Sequence, residues 1–255
     1  MKKFLISLLL IFSFAFGCTS FQQNFVTQVS TIDALLSGLY EGTTTLKEVI
    51  KHGDFGIGTF DKLDGEMIIL DGIVYQIKAD GKVYQPSHDL TTPFFTVTKF
   101  EEPDSSFTFS STTFKEFEKS SDDLINNKNL FYAIKMSGNF KYVKTRSVPS
   151  QTKPYKPLNE VTKNQSVFEK ENVSGTTVGF RSPQFASGIN VPGYHLHFIS
   201  DDKTFGGHVL DLSFENCKVE ILPLHNFKML LPESSEFGEA DLKKNRADEL
   251  NKVEK

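Results

Sequence analysis

The sequence predicts an α+β fold of mostly antiparallel or mixed sheets, and three observations lead there. Short apolar runs typical of half-buried strands recur through the chain between Ile57 and Leu231. Asp-Gly pairs at Asp64-Gly65, Asp71-Gly72 and Asp80-Gly81 punctuate the first of them, and Asp-Gly is a preferred two-residue hairpin signal. Stretches with helical spacing are few and separate from the strand runs, the arrangement of an α+β domain.

Taken in order, Thr31 to Leu39 has the apolar spacing of a short helix, and Thr45-Leu46-Lys47-Glu48 is a capping-box pattern that opens a second. A meander is then expected through Ile57 to Phe60, Met67 to Leu70, Ile73 to Ile77, Val83 to Tyr84 and Phe94 to Phe100. The charged amphipathic stretch from Phe114 to Asn126 reads as a helix, and Tyr132 to Met136 with Phe140 to Thr145 as a hairpin turning at Ser137-Gly138-Asn139. Val148 to Pro157, rich in proline and polar residues, marks a loop and the expected boundary between two halves, 31–148 and 149–255. Beyond it, Leu158 to Phe168 has helical character. Strands resume at Thr176 to Phe180, Tyr194 to Ser200, Gly207 to Leu212, Val219 to Leu224 and Phe227 to Leu231, and a charged helical tail follows from Glu239. No repeat of fixed period is visible.

With 255 residues the chain can bury a sizeable core as one large domain or two small ones. Its net charge of −4 is mixed along the sequence, with no basic block or aromatic-basic stripe, which argues against a nucleic-acid partner. Lysine supplies nearly all the cations. Arg146, Arg181 and Arg246 are the exceptions, and each places a planar bidentate donor where lysine elsewhere suffices.

Met1-Lys2-Lys3, the apolar run Phe4 to Phe16 and Gly17-Cys18 have the order of an export signal, and the cysteine suggests a bacterial lipoprotein signal over residues 1–18. The run is short for a membrane span. A lipid anchor on Cys18 is the expectation, with residues 19–30 as a tether, and cleavage nearby or a retained anchor as alternatives. With Cys18 lipidated, Cys217 is the remaining thiol and no internal disulfide forms.

Three of the six histidines fall between Gly193 and His208. His195 and His197 are two apart, so on a strand they share a face. With Asp201-Asp202-Lys203-Thr204 as the hairpin turn, His197 lies opposite His208. Three imidazoles then converge, a crowded arrangement with little structural rationale unless a metal holds it. Three protein ligands with one position open is the pattern of a catalytic zinc, structural sites being filled by four. A cupin motif also has closely spaced histidines but expects a glutamate shortly after them, and here Asp201 is the nearest carboxylate. Around such a metal, Glu66 follows the Asp64-Gly65 turn at the start of a strand, and Arg146 closes the Phe140 to Thr145 strand, where a guanidinium can bind a carboxylate bidentately.

Several blocks resemble the alpha-acetolactate decarboxylase family. They are Gly53-Asp54-Phe55-Gly56-Ile57-Gly58-Thr59-Phe60, Leu63-Asp64-Gly65-Glu66-Met67, Thr92-Pro93-Phe94 and Gly179-Phe180-Arg181-Ser182-Pro183, together with Gly188-Ile189-Asn190-Val191-Pro192-Gly193-Tyr194-His195-Leu196-His197-Phe198 and Gly206-Gly207-His208-Val209-Leu210-Asp211. The resemblance implies an α+β fold of two related mixed-sheet halves with zinc near their junction. It implies zinc ligation by His195, His197 and His208, functional roles for Glu66 and Arg146, and a second glutamate near the C-terminus that matches Glu254, with Glu249 close by in the same tail.

The implied reaction is decarboxylation of 2-acetolactate to acetoin, zinc acting as electron sink, Arg146 orienting the carboxylate, and Glu66 or Glu254 protonating the enediolate. A homodimer is a family expectation. The rival readings are a zinc hydratase or hydrolase and a non-catalytic surface lipoprotein that binds metal.

Overall fold

The computed structural model describes residues 25–101, 103, 106–110 and 112–254. Residues 1–18, expected as an export segment, lie outside these, as does Cys18. The strands are β1 Phe25–Val29, β2 Thr44–Thr45, β3 Phe55–Thr59, β4 Glu66–Leu70, β5 Ile73–Ile77, β6 Val83–Tyr84, β7 Thr91–Thr92 and β8 Phe95–Thr98, then β9 Ser106–Phe109, β10 Thr112–Thr113, β11 Phe131–Ser147, β12 Ser166–Ser182, β13 Gly193–Ser200, β14 Gly206–Leu224 and β15 Asn226–Leu230. The helices are α1 Ile32–Leu36, α2 Leu46–Val49, α3 Phe114–Leu124, α4 Leu158–Val161, α5 Ser235–Glu239 and α6 Ala247–Glu254. Among the described residues, no helix is long and apolar enough to cross a membrane.

The first sheet has seven strands in the order β15-β1-β8-β3-β4-β5-β6, antiparallel except where β1 runs parallel to β15. Its β4–β5 turn is the expected tight one. Asp71 at φ 53 and Gly72 at φ 76 are both left-handed, the geometry that matches hairpin twist and suits an Asp-Gly pair. In the second sheet, β14, β11, β12 and β13 pair in succession, and β13 also pairs with β14, so these four strands close into a ring. One apolar cluster, including Met136, Phe140, Leu196, Phe198 and Phe214, belongs to the second sheet. Another fills the space between the sheets with Val26, Phe55, Ile68, Ile77, Phe180 and Ile199.

Several expectations are corrected. The last part of the expected tether, Phe25–Val29, is strand β1, with Val26 fully buried and Thr98 Oγ1 donating to the Phe25 carbonyl at 2.8 Å. The chain passes from the first sheet to the second between β8 and β9, before the Val148 to Pro157 loop, and returns with β15, so the halves 31–148 and 149–255 do not coincide with the sheets. Ser137-Gly138-Asn139 is a bulge inside one continuous strand, because both flanks of β11 keep partners in β12 and β14. In Leu158 to Phe168 only α4 and a 3-10 turn at Thr162–Asn164 are helical, since residues from Ser166 pair with β11.

A candidate metal centre between the sheets

The site forms where β13, β14 and β11 of the second sheet meet the start of β4. His195 and His197 share the face of β13 that carries Ile199 into the core between the sheets, while Leu196 and Phe198 turn to the second sheet's own cluster. His197 pairs in register with His208, as the hairpin reading requires, and His208 pairs on its other side with Arg146 of β11. The turn is held by Asp202, which accepts from the Thr204 amide at 3.1 Å and its hydroxyl at 2.8 Å, so Asp201 and Asp202 serve the turn rather than the site.

The three imidazole rings stand 5.0–5.4 Å apart between centroids, and one nitrogen from each lies within 4.8 Å of the others. His197 Nδ1 donates to the Met67 carbonyl at 2.8 Å, which fixes the tautomer and leaves Nε2 with a free lone pair. Nε2 of both His197 and His208 is buried without a hydrogen-bond partner. Burial is the largest cause holding all three rings below the ordinary histidine range, His195 at about 3; Arg146 adds to it in each, like charge from neighbouring rings adds at His197 and His208, and the Met67 carbonyl opposes it at His197. His195 Nε2 and His208 Nδ1 stand 3.2 Å apart, and neutral, buried rings with two nitrogens lacking a hydrogen-bond partner fit a metal ion, which supplies the missing partner.

Arg146 lies between two carboxylates. Its guanidinium donates to Glu66 Oε1 at 3.1 Å and approaches Glu254 Oε1 at 3.9 Å. The other oxygens face the histidines, Glu66 Oε2 at 3.6 Å from His197 Nε2 and Glu254 Oε2 at 3.6 Å from His208 Nε2. Burial pushes both acids up to about 7; Arg146 opposes the shift in each, and Glu254 adds to it at Glu66. These carboxyls can therefore carry a proton near neutrality.

All six residues singled out by sequence are brought together. Glu254 arrives on α6, whose Leu250 and Val253 pack with α1, α4 and Val148. Glu249, the nearby alternative, is held by Lys244 at 2.6 Å and Arg246 at 2.8 Å. Arg181 is likewise committed elsewhere, to Asp122 at 2.9 Å and the Lys128 carbonyl at 2.8 Å. Sequence reasoning missed the apolar wall of the cavity, Ile32, Leu35, Leu63, Phe94, Val148 and Leu158, and also Thr59. Nothing in their spacing distinguishes them from ordinary core residues.

Comparison with known proteins is consistent over nearly the whole chain. Residues 26–244 match the profile of the family described as Alpha-acetolactate decarboxylase. The chain is 53% identical over 228 residues to alpha-acetolactate decarboxylase of Methanosarcina mazei, covering 89% of this chain and 79% of that protein. It is 44% identical to the Bacillus subtilis (strain 168) protein of the same name, covering 85% of each. The crystal structure of alpha-acetolactate decarboxylase from Bacillus subtilis strain 168 superposes with a TM-score of 0.88 at 43% identity, covering 90% of this chain and 99% of that one.

Proposed function

Because the chain belongs to the alpha-acetolactate decarboxylase family and is a carboxy-lyase, we propose that it converts 2-acetolactate to acetoin and carbon dioxide at a zinc site formed by His195, His197 and His208. The observation that carries this reading is the placement of Arg146 beside the triad, paired with His208 and flanked by two carboxyls that can hold protons.

Zinc held by the three imidazoles would supply a Lewis acid that polarises the substrate's ketone and hydroxyl oxygens. The rest of the work falls to the chain. Arg146 offers parallel N–H donors to the substrate carboxylate and sets the carbon–carbon bond to be broken. As that bond breaks, its electron pair moves toward the ketone, carbon dioxide leaves, and an enediolate remains. Glu66 or Glu254 delivers a proton to its carbon and is reprotonated from water, so one proton is consumed per turnover. Delivery from one fixed side gives a single acetoin enantiomer. Ile32, Leu35, Phe94 and Leu158 form the apolar wall against which the substrate's methyl groups pack. The Nδ1–H donated by His197 to Met67 keeps its ring oriented through these steps.

The test is acetoin release from racemic acetolactate by the purified protein as isolated, after chelation and after zinc is restored. Turnover lost on chelation and regained with zinc supports the reading. A zinc-loaded protein without turnover overturns it, in favour of a hydrolase or a binding protein.

Export is part of the same reading. The basic start, apolar run and Cys18 support transfer to the cell envelope with a lipid on that cysteine.

A further inference from the structure

Gln76 is buried on the face of the first sheet that turns away from the metal centre, yet its side chain grips the loop that leads into Glu66. Tyr75 and Ile77 belong to the cluster between the sheets, so strand alternation sends Gln76 to the opposite face, the one that carries Met67 and Val74. Only 2% of Gln76 is exposed. A polar side chain sealed into an apolar face requires partners, and Gln76 finds them in one residue. Its Nε2 donates to the Asp64 carbonyl at 2.6 Å and to Asp64 Oδ2 at 3.2 Å, the same oxygen that Lys78 Nζ reaches at 2.6 Å.

The loop it grips, Asp61 to Gly65 between β3 and β4, is strained. Lys62 at φ 59 and Leu63 at φ 58 are successive side-chain-bearing residues in the left-handed region, and such a pair persists only where its surroundings hold it. The Lys62 amide donates to the Tyr40 carbonyl at 2.8 Å, and the Lys62 carbonyl accepts from the Gln151 amide at 2.7 Å. The Gly65 carbonyl accepts from Thr59 Oγ1 at 2.8 Å. Gly65 itself, at φ +92, lies so near β5 that an added Cβ would stand 2.3 Å from the Ile77 carbonyl oxygen. This conformation places Leu63 in the cavity wall, and Glu66 follows Gly65 directly.

Strand β5 is the fixed rail for the loop. The Ser147 hydroxyl, next to Arg146 on β11, donates across the sheets to the Ile77 carbonyl at 2.8 Å, and Ile77 is the register partner of Glu66. Gln76 pairs in register with Met67, whose carbonyl accepts from His197 Nδ1. Ser147 therefore ties β5 to the strand of Arg146, and Gln76 ties the Glu66 loop to β5. We propose that Gln76 is a positioning residue for the decarboxylation: by holding the strained loop against β5 it sets the Glu66 carboxyl against Arg146 and the histidine triad, without touching the substrate. The inference rests on the reaction proposed above for this site.

Gln76→Met keeps the length of the side chain and removes the donor, and Gln76→Glu keeps its shape but, ionised, has only acceptors to offer the Asp64 carbonyl. Both are expected to lower kcat per bound zinc by about tenfold to a hundredfold, with KM within about threefold of wild type and zinc content unchanged. Amide hydrogen exchange in the 61–66 segment is expected to quicken in both variants while β11 and β13 keep their protection. The strain supplies a rescue. The Lys62 side chain is 49% exposed and lies outside the cavity wall, and glycine adopts its left-handed conformation without steric cost. Lys62→Gly alone should leave kcat at the wild-type level, and in the Gln76→Met background it should restore slow exchange and most of the lost kcat.

A kcat per zinc within about twofold of wild type in both Gln76 variants overturns the proposal, as does a loss that tracks loss of zinc. So does a double variant whose thermal stability recovers while kcat does not, the behaviour of a residue that serves folding alone. Zinc-loaded wild type that releases no acetoin overturns the decarboxylation reading instead. Loop exchange needs no turnover, so it still decides whether Gln76 holds the Glu66 loop, and unchanged exchange in both variants overturns that.

Discussion

The Arg146 guanidinium donates to Glu66 Oε1 across 3.1 Å, joining β11 of the second sheet to β4 of the first at a point where both side chains are nearly sealed from water. Arg146→Ala is expected to lower kcat/KM by about 10²–10³ through loss of carboxylate orientation and charge compensation. Arg146→Lys keeps the charge without the planar fork and should fall between the two. Zinc content is expected to stay at the wild-type level in both, because Arg146 donates to carboxylates and not to the metal. Steady-state kinetics with metal analysis checks this, and zinc lost with activity would reassign Arg146 to holding the site together.

His197→Ala and His208→Ala each leave two imidazoles, too few to compete with chelators. Both variants are expected to fall from about one zinc per chain to near zero after gel filtration while keeping the wild-type circular dichroism. A retained equivalent of zinc in either variant would place the metal elsewhere.

The two tail glutamates separate cleanly. Glu254 faces His208 and Arg146, whereas Glu249 is engaged by Lys244 and Arg246. Glu254→Gln is therefore expected to lower kcat by about 10²–10⁴, the range for losing a positioned proton donor, with zinc retained. Glu249→Gln should leave kcat within about threefold of wild type, since its carboxylate is committed to Lys244 and Arg246 and not to Arg146 or the histidines. Equal losses in the two would mean that the charge of the tail matters and not a particular carboxyl.

How far the sequence reveals this site depends on how local each signal is. The His195, His197 and His208 cluster is legible because strand alternation and one hairpin register determine it within sixteen residues. Glu66 and Arg146 could be named from their strand-end positions, but their contact spans eighty residues and follows from how the two sheets pack. Ser137-Gly138-Asn139 has the composition of a turn, yet partners on both sides of β11 make it a bulge, and no local rule supplies those partners. The strand beginning at Phe25 was hidden for the same reason: its pairing partners, β8 and β15, are far away in sequence.

Gly207 gives a test of the backbone that carries His208. At φ +135 it occupies a region few side chains adopt, and an added Cβ would stand 2.5 Å from the Arg146 carbonyl oxygen. Gly207→Ala is expected to cost about 2 kcal/mol and to spread β14 from β11, so zinc affinity and kcat fall together. Denaturant melts with zinc titration check it; a stable variant with full zinc affinity would mean the strands give way freely.

Cys217 is fully buried, its thiol directed to the Asn139 carbonyl oxygen at 3.6 Å. Burial pushes it up to about 12 from the ordinary 9.0, so at pH 8 only about one molecule in 10⁴ carries the reactive thiolate. Modification by Ellman's reagent is expected to be slow in the native protein and rapid in guanidinium chloride. The folded state also keeps this proton between about pH 9 and 12, where the unfolded chain releases it. The contribution is therefore fully present below pH 9 and is lost as pH rises toward 12, so Cys217→Ala should flatten the alkaline decline in stability. Fast native labelling at pH 8 would show that the thiol reaches solvent and that burial does not hold its proton.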